Sequence, residues 1–321
     1  MIKKILQFWF KFFFKISLLP FTILIKIFNI FKFNSFLRSL NFYLNTNLKE
    51  LILNSLNKTN VINNFEKKNF LNYMDIGSAG GLIPEVSKNK NYFCKIILFD
   101  GNEKEKTKLE KKGYTVLNNY ISDENCEKKL YNIEWNPGAN SLFKPGNKYT
   151  NNFFALYGGK EYLEKHQEYK IEKVKVFKAS ELIKKININK IDLLKLDVQG
   201  SEEGILKDIF HSASKDEIPY PLFIKCEIMF TPFYEGLNSG YEVINSIVKN
   251  DYVLAGYFDE HYRDGMPIWS DCLFIPNWNT PRGKKIISQN LDEFKLLCKI
   301  YNKELLYLFI LKSIKGEELP Y

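Results

Sequence analysis

From about residue 70 onward, apolar runs of strand length alternate with charged stretches of helix length. Phe70–Ile76, Cys94–Phe99, Ile171–Phe177, Ile191–Leu196 and the segment "YPLFIKCEIMF" read as strands, with shorter ones near Tyr114–Leu117 and at Cys272–Ile275. A run that is mostly apolar, rather than apolar at every second position, is the pattern of a strand covered on both faces, as in a parallel sheet. Lys104–Lys112, Glu161–Glu168, a short piece begun by Ser180 and "GYEVINSIVKN" read as helices, the last followed by a strand in "DYVLAGYF". Residues 285–313 form a helical tail rich in Leu, Ile and Lys. Strands that alternate with helices predict an open α/β sheet.

One stretch organises the rest: "KININKIDLLKLDVQGSEEGIL", Lys185 to Leu206. Ile191–Leu196 is the strand, Asp197 closes it, and Gln199-Gly200 makes the turn. Ser201 is an N-cap candidate, with Glu202 and Glu203 in the first helical turn where the helix dipole favours carboxylates. Lys195 and Asp197 sit two residues apart and so face one side of a strand that otherwise reads as buried. A buried charge is costly unless it is paired or used. The pair is therefore either a structural ion pair or part of a site at the carboxyl end of a central strand, where open α/β sheets bind ligands.

The first strand runs into "MDIGSAGGLIPEV". Glycines at a strand-to-helix turn let a ligand approach the backbone. The dinucleotide fingerprint fails here, because Ala79 and Leu82 stand where its second and third glycines belong. The pattern present is D-x-G-x-A-x-G: Asp75, Gly77, Ala79 and Gly81. The next strand ends at Asp100, 19 residues after Gly81. A carboxylate at that strand tip can accept hydrogen bonds from both hydroxyls of a ribose. Ser122 and Asp123 fall where the third strand of such a sheet meets an adenine ring. Asn140 and Ser141, in the Pro/Gly-rich loop Asn136–Gly146, are placed either to bond a polar substrate or to face solvent. His166 reads as a solvated helix residue. Glu227 lies inside an apolar strand, so it either pairs with Lys195 or Lys225 or points into a site. "DEHYRDGMPIWSD" reads as a polar loop holding His261, Tyr262, Arg263 and Asp264.

The N-terminal segment changes the picture of where the protein works. The formal net charge is +9, and residues 1–40 hold seven basic residues and no acid, so the remaining 281 residues carry only +2. That argues against a nucleic-acid-binding body and for a basic arm. At about 100° per residue, Lys4, Gln7, Lys11, Lys15, Thr22, Lys26, Asn29 and Lys32 fall on one stripe, and Phe, Leu, Ile and Trp9 fill the rest. Such a helix suits the plane of a membrane interface. The competing reading is a single span, but the longest uncharged run, Ile16–Ile25, is ten residues against the roughly 20 a span needs. Pro20 would kink it. The arm and linker occupy residues 1–68, the catalytic body 69–280 and the tail 281–321. The five cysteines are scattered, with no CxxC and no Cys/His cluster, so neither a zinc site nor a disulfide framework is expected, and a reducing compartment fits.

With these residues in place, the chain resembles the FkbM family of methyltransferases over roughly residues 70–276. "IDLLKLDVQGSEEGIL" is similar to that family's "iD-x-lKiD-v-[EQ]-G-x-E-x-x-vL" signature, with Asp192, Lys195, Asp197, Gly200 and Glu202 on matching positions. "DIGSAGG" is similar to its "DvGAn-x-G", with Ser78 and Ala79 in place of Ala-Asn. "EIMFTPFYEG" resembles "E-x-x-f-x-plY-x-g", matching Glu227, Pro232 and Tyr234. "NPGANSL" is like a loop of some members, and "SDCLFI" is like the "x-DaLF" of their last strand. "LFDGNEKE" departs from the usual "FEPnp": Asp100 keeps the acid and the Pro is lost. The resemblance implies a Rossmann-like class I fold. It implies a mostly parallel seven-stranded sheet with helices on both faces, here with the helical arm and tail added. It also implies methyl transfer from S-adenosylmethionine, usually to a hydroxyl oxygen of a sugar, glycolipid or polyketide-type product.

The expected chemistry follows. An in-line transfer needs the acceptor aligned, and an aliphatic hydroxyl needs a base. Asp197 is the expected base, Lys195 or Glu227 tunes its charge or positions the acceptor, and His261 is the alternative base. Asp75, Gly77, Ala79, Gly81, Asp100, Ser122 and Asp123 are expected at the cofactor. Asp197 and Glu227 could both ligate Mg2+, but no ligand spacing demands a metal. The first reading is an O-methyltransferase at the cytoplasmic membrane surface, held through residues 1–40, acting on a small-molecule or lipid-linked glycan acceptor. The rival is a non-catalytic membrane-associated scaffold that keeps the fold.

Overall fold

The computed structural model describes residues 70–146, 161, 164–231, 233–237, 239–263 and 266–317. The amphipathic arm, Pro232 and Asp264 lie outside the described residues. The chain divides into units at residues 1–65 and 66–321, and the fold below is that of the second.

Ten strands and eight α-helices have both ends in the described residues, and residues 164–167 are also helical. The main sheet takes β1 (Leu71–Ile76), β2 (Phe93–Phe99), β3 (Thr115–Leu117), β7 (Ile191–Leu196), β8 (Pro221–Met229), β9 (Tyr252–Arg263) and β10 (Met266–Pro276). Its order is β3-β2-β1-β7-β8-β10-β9. β3, β2, β1, β7 and β8 are parallel, and β10 runs antiparallel to both β8 and β9. A separate sheet has the order β4-β6-β5, from β4 (Tyr120–Ser122), β5 (Cys126–Asn132) and β6 (Lys170–Lys178).

The helices are α1 (Pro84–Lys88), α2 (Glu103–Lys111), α3 (Ala179–Ile186), α4 (Glu202–Ser214), α5 (Gly240–Val248), α6 (Pro281–Gln289), α7 (Leu291–Ile300) and α8 (Glu304–Lys315). β1 and β7 are buried at every position, which is why both read as near-continuous apolar runs. One face of the sheet presents Met74, Leu194, Leu196, Ile224 and Phe274 to Leu182, Ile205, Ile209 and Ile247 of α3, α4 and α5. On the other face Phe223 packs its ring against Phe294 of α7 and Tyr301 just beyond it. Helices therefore cover both faces, in agreement with the seven-stranded α/β architecture implied by the resemblance.

Two sequence readings are corrected. The segment expected as a polar loop is the end of β9 and the start of β10, paired from Met266↔Arg263 to Asp271↔Phe258. Its polar residues sit on an antiparallel hairpin at the sheet edge, where one side of each strand meets solvent, so polarity there did not mean loop. Ser201 does not cap α4 through its side chain. Glu202 instead braces the turn before α4, its carboxylate accepting from the Val198 and Gly200 N–H groups at 2.8 Å each. The helical tail expected from the sequence is present as three helices, broken at Asn290 and Asn302.

The strand order fixes where a ligand can sit. From β1 the chain winds outward through β2 and β3, then returns to β7 on the other side of β1. The crevice at the carboxyl ends of β1 and β7 is the topological switch point, the favoured binding place in open α/β sheets.

Candidate active site

Gly77 leaves β1 and Asp197 leaves β7 side by side at this switch point. The Asp197 N–H donates to Ile76 O at 3.1 Å. Gly77 has φ +86°, and a Cβ there would fall 1.8 Å from Asp197 O. The glycine is thus required by the crossing of the two strand ends. Gly81, at φ +111°, would meet only side-chain atoms at ordinary contact distance, so backbone conformation alone demands it.

Lys195 ties the two ends together. Its Nζ donates to Gly77 O at 2.6 Å and lies 3.2 Å from the Asp75 carboxylate and 3.3 Å from that of Asp197. Burial works to lower the Lys195 pKa, but the carboxylates of Asp197 and Asp75 outweigh it and hold the ammonium above its ordinary range. Asp75 is fully buried and also accepts from Tyr73 Oη at 2.6 Å. Burial raises its pKa, with Lys195 and Tyr73 opposing. Asp75 therefore supports the glycine turn from behind and does not line the cleft above it.

A cleft opens above this turn, lined by Gly77, Ala79, Asp100, Asn102, Tyr120 and Asp197 among others. Asp100 is nearly buried, and its Oδ1 accepts from the Asn102 N–H at 2.8 Å. Burial, with smaller pushes from Glu105 and Asp75, lifts its pKa to about 6 against the pull of that N–H. Tyr120 beside it is pushed up to about 12, by burial first and then by Glu172 and Asp100. A desolvated carboxylate facing a cleft is short of donors, and vicinal hydroxyls would supply them.

Ser122 and Asp123 are not brought to this cleft. They line a neighbouring cavity along the first turn of α4, where Lys128 donates to Ser122 Oγ at 2.9 Å and to Asp123 at 3.1 Å. Their neighbours Tyr120 and Ile121 line the cleft instead.

A second cavity opens on the far side of Asp197, lined by His166, Gln199, Glu227, Tyr234 and Trp269, with Asp197 and Gln199 common to both spaces. Gln199 holds the junction. Its Nε2 donates to Asp197 Oδ1 at 2.8 Å and to Glu227 Oε2 at 2.7 Å, and its Oε1 accepts from Tyr234 Oη at 2.8 Å. Two carboxylates on one side require the amide nitrogen there, so the arrangement uses both amide hydrogens and an oxygen lone pair. Gln199 is in the left-handed region at φ 54°, an uncommon conformation for a residue other than glycine.

A model of the methyltransferase FkbM domain matches residues 75–254 of this sequence, more than half of the chain. The chain belongs to the FkbM methyltransferase family. No curated protein matches it.

The FkbM signature now divides by position. Asp192 sits at the amino end of β7, away from both cavities, where it accepts from the Asn72 N–H at 2.6 Å. Lys195, Asp197, Gly200 and Glu202 gather at the carboxyl end. Of the FkbM motif around Glu227, Tyr234 clasps two loops. Besides Gln199 its hydroxyl is 3.1 Å from Ala139 O, and its backbone bridges Pro145. Ser141, considered for substrate contact, donates to Gln199 O at 2.6 Å. Asn140 accepts from the Ile133 N–H at 2.7 Å while also lining the cleft beside Asp100. Both brace the loop.

Glu227 carries a pKa raised well above its ordinary value, by burial first and then by Asp197, Glu202 and Asp271, with Lys195 opposing. Lys225 does not pair with it. It lies between Glu85 at 3.3 Å and Asp271 at 3.0 Å. His261 is on β9 and stacks on Trp269 with ring centroids 4.2 Å apart. It lines neither the cleft nor the cavity beyond Asp197, and Trp269 stands between it and that cavity. His166, read from sequence as solvated, is 3% exposed, packs edge-on to Trp135 and lines the second cavity. A charged helix pattern gave no sign of this inward turn. Among the described residues no group of three or more His, Cys, Asp or Glu side chains is placed to hold a metal.

Proposed function

We propose that this FkbM methyltransferase moves a methyl group from S-adenosylmethionine to a hydroxyl oxygen of a glycan or related metabolite. The observation that carries the reading is the junction. Asp197 and Gln199 form a wall shared by the cleft beside Asp100 and the cavity beside Glu227. A donor on one side and an acceptor on the other would meet at that wall.

The cleft suits a nucleoside cofactor. Asp100 would accept from the ribose hydroxyls, and Tyr120 and Ile121 would border the base. The cofactor supplies an electrophilic methyl on its sulfonium. Asp197, one-third exposed and 3.3 Å from the Lys195 ammonium, receives the acceptor's hydroxyl proton. Gln199 fixes its orientation, and Glu227 accepts or donates a bond to a second hydroxyl. Alignment of the acceptor by this rail supplies much of the acceleration.

The basic arm supports action at the cytoplasmic face of a membrane, peripherally or, as the alternative, through a single anchor. Among the described residues no helix is long and apolar enough to cross a membrane. Flotation with and without residues 1–40 tests the arm, and vesicle association that ignores the deletion removes it from the proposal.

Calorimetry tests the cofactor. S-adenosylmethionine should bind the intact chain, and Asp100→Ala should weaken binding by about tenfold or more. No binding by the intact chain would instead favour the non-catalytic scaffold.

A further inference from the structure

We propose that the cavity beyond Asp197 selects an acceptor ring that carries no negative charge, and that it rejects acidic rings such as uronates or sugar phosphates. This rests on the reading above that the acceptor enters there. The wall toward the cofactor side holds two carboxyl groups and no cation: Asp197 carries the charge, and the single amide of Gln199 joins it to Glu227. Lys195, the cation that balances Asp197, sits behind that wall and is spent on Gly77 O and Asp75. Lys225 is 2% exposed and held by Glu85 and Asp271, and the one basic side chain among the described lining residues, His166, is 3% exposed and packs on Trp135. Neither ammonium is directed to an incoming anion.

The field is already felt inside the site. Glu227 is driven toward its protonated form by burial and by Asp197, Glu202 and Asp271. A further fixed negative charge would meet the same repulsion without a proton to relieve it. Carboxylates and an amide instead accept and donate to neutral hydroxyls without a charge cost.

The rest of the cavity favours a ring with an apolar side. Met229, Phe233 and Trp269 line it. Phe233 meets Trp269 edge-on, with centroids 5.5 Å apart, and His261 stacked on Trp269 fixes the indole. Sugar rings with C–H faces pack on such aromatic surfaces, and their hydroxyls would reach the carboxylate rail.

Saturation-transfer NMR on the full chain, with S-adenosylhomocysteine present, tests this with two probes that differ in one group. Methyl β-D-glucopyranoside should receive saturation and lose it in Trp269→Ala. Methyl β-D-glucuronide should bind about tenfold or more weakly in competition. Met229→Lys, which places an ammonium on the apolar wall, should recover the glucuronide. If that variant does not fold, the two probes on the unaltered chain still decide. Equal or tighter glucuronide binding, or no binding of the neutral glycoside, overturns the proposal. Calorimetry of S-adenosylhomocysteine on the same sample separates the two readings. Lost cofactor-product binding defeats the proposed function, whereas intact binding with the wrong probe preference defeats only the charge selection.

Discussion

The two ends of β7 carry the same residue types and do different things. At the amino end, Lys190 and Asp192 lie 3.5 Å apart; at the carboxyl end, Lys195 and Asp197 lie 3.3 Å apart. Asp192 is 1% exposed and is used up by the backbone of Asn72. Burial lifts its pKa to about 6, against the Asn72 N–H and Lys190. The Asp197 side chain is 33% exposed and faces two cavities. One acid holds strands in register, and the other stands where ligands can reach. Sheet polarity explains the difference: in parallel sheets the loops that build sites follow the carboxyl ends of the strands.

The strongest way to break this comparison is to exchange losses between the ends. Asp197→Asn should cut turnover, read as S-adenosylhomocysteine release, by about 100-fold or more, with the melting temperature nearly unchanged. Asp192→Ala should do the reverse. It strands the buried Asn72 N–H and costs about 1–3 kcal/mol of stability in a urea melt, with cofactor affinity retained. If Asp192→Ala abolished turnover in a chain that remained folded, the division of roles along β7 would be wrong.

The cations sharpen the same contrast. Lys195→Ala leaves Asp75 buried without its partner and should cost about 3–5 kcal/mol. Lys190, whose Nζ meets Glu293 at 2.7 Å in a partly solvated pair, should cost about 1 kcal/mol or less when replaced by Ala. Equal losses by urea denaturation would show that Lys195 is not the strut described here.

The sequence carried the parallel core because strands buried on both faces leave a nearly pure apolar signal, as in β1 and β7. It carried Asp100 and Asp197 because acids at strand tips stand out against that signal. It did not carry the β9–β10 hairpin, whose edge position allows polar residues in a regular strand. Asp75 was placed at the cofactor by its motif, yet motif spacing does not report that Tyr73 and Lys195 consume its carboxylate. Gln199 read only as a turn residue. Its role depends on strands β7 and β8 bringing Asp197 and Glu227 to either side of one amide, a contact between residues 28 apart in sequence. His166 was missed for the same reason: Trp135, 31 positions away, covers it.

The smallest effect expected concerns Asp100, and it separates the cofactor side of the junction from the acceptor side. Its pKa of about 6 lies above the roughly 3.9 of an unfolded aspartate. The folded chain therefore binds more protons between about pH 4 and pH 6, and stability contributed by this group falls as pH rises through that window. Ligand binding runs the other way. Ribose hydroxyls donate to the ionised carboxylate, so S-adenosylhomocysteine affinity should weaken as pH drops below about 6, by up to about tenfold per unit. Asp100→Asn should bind less tightly at neutral pH and lose this dependence. Calorimetry from pH 5 to pH 8, a range chosen to bracket about 6, reads both. A pH dependence that survives in Asp100→Asn would assign the titration to another group and remove Asp100 from the ribose.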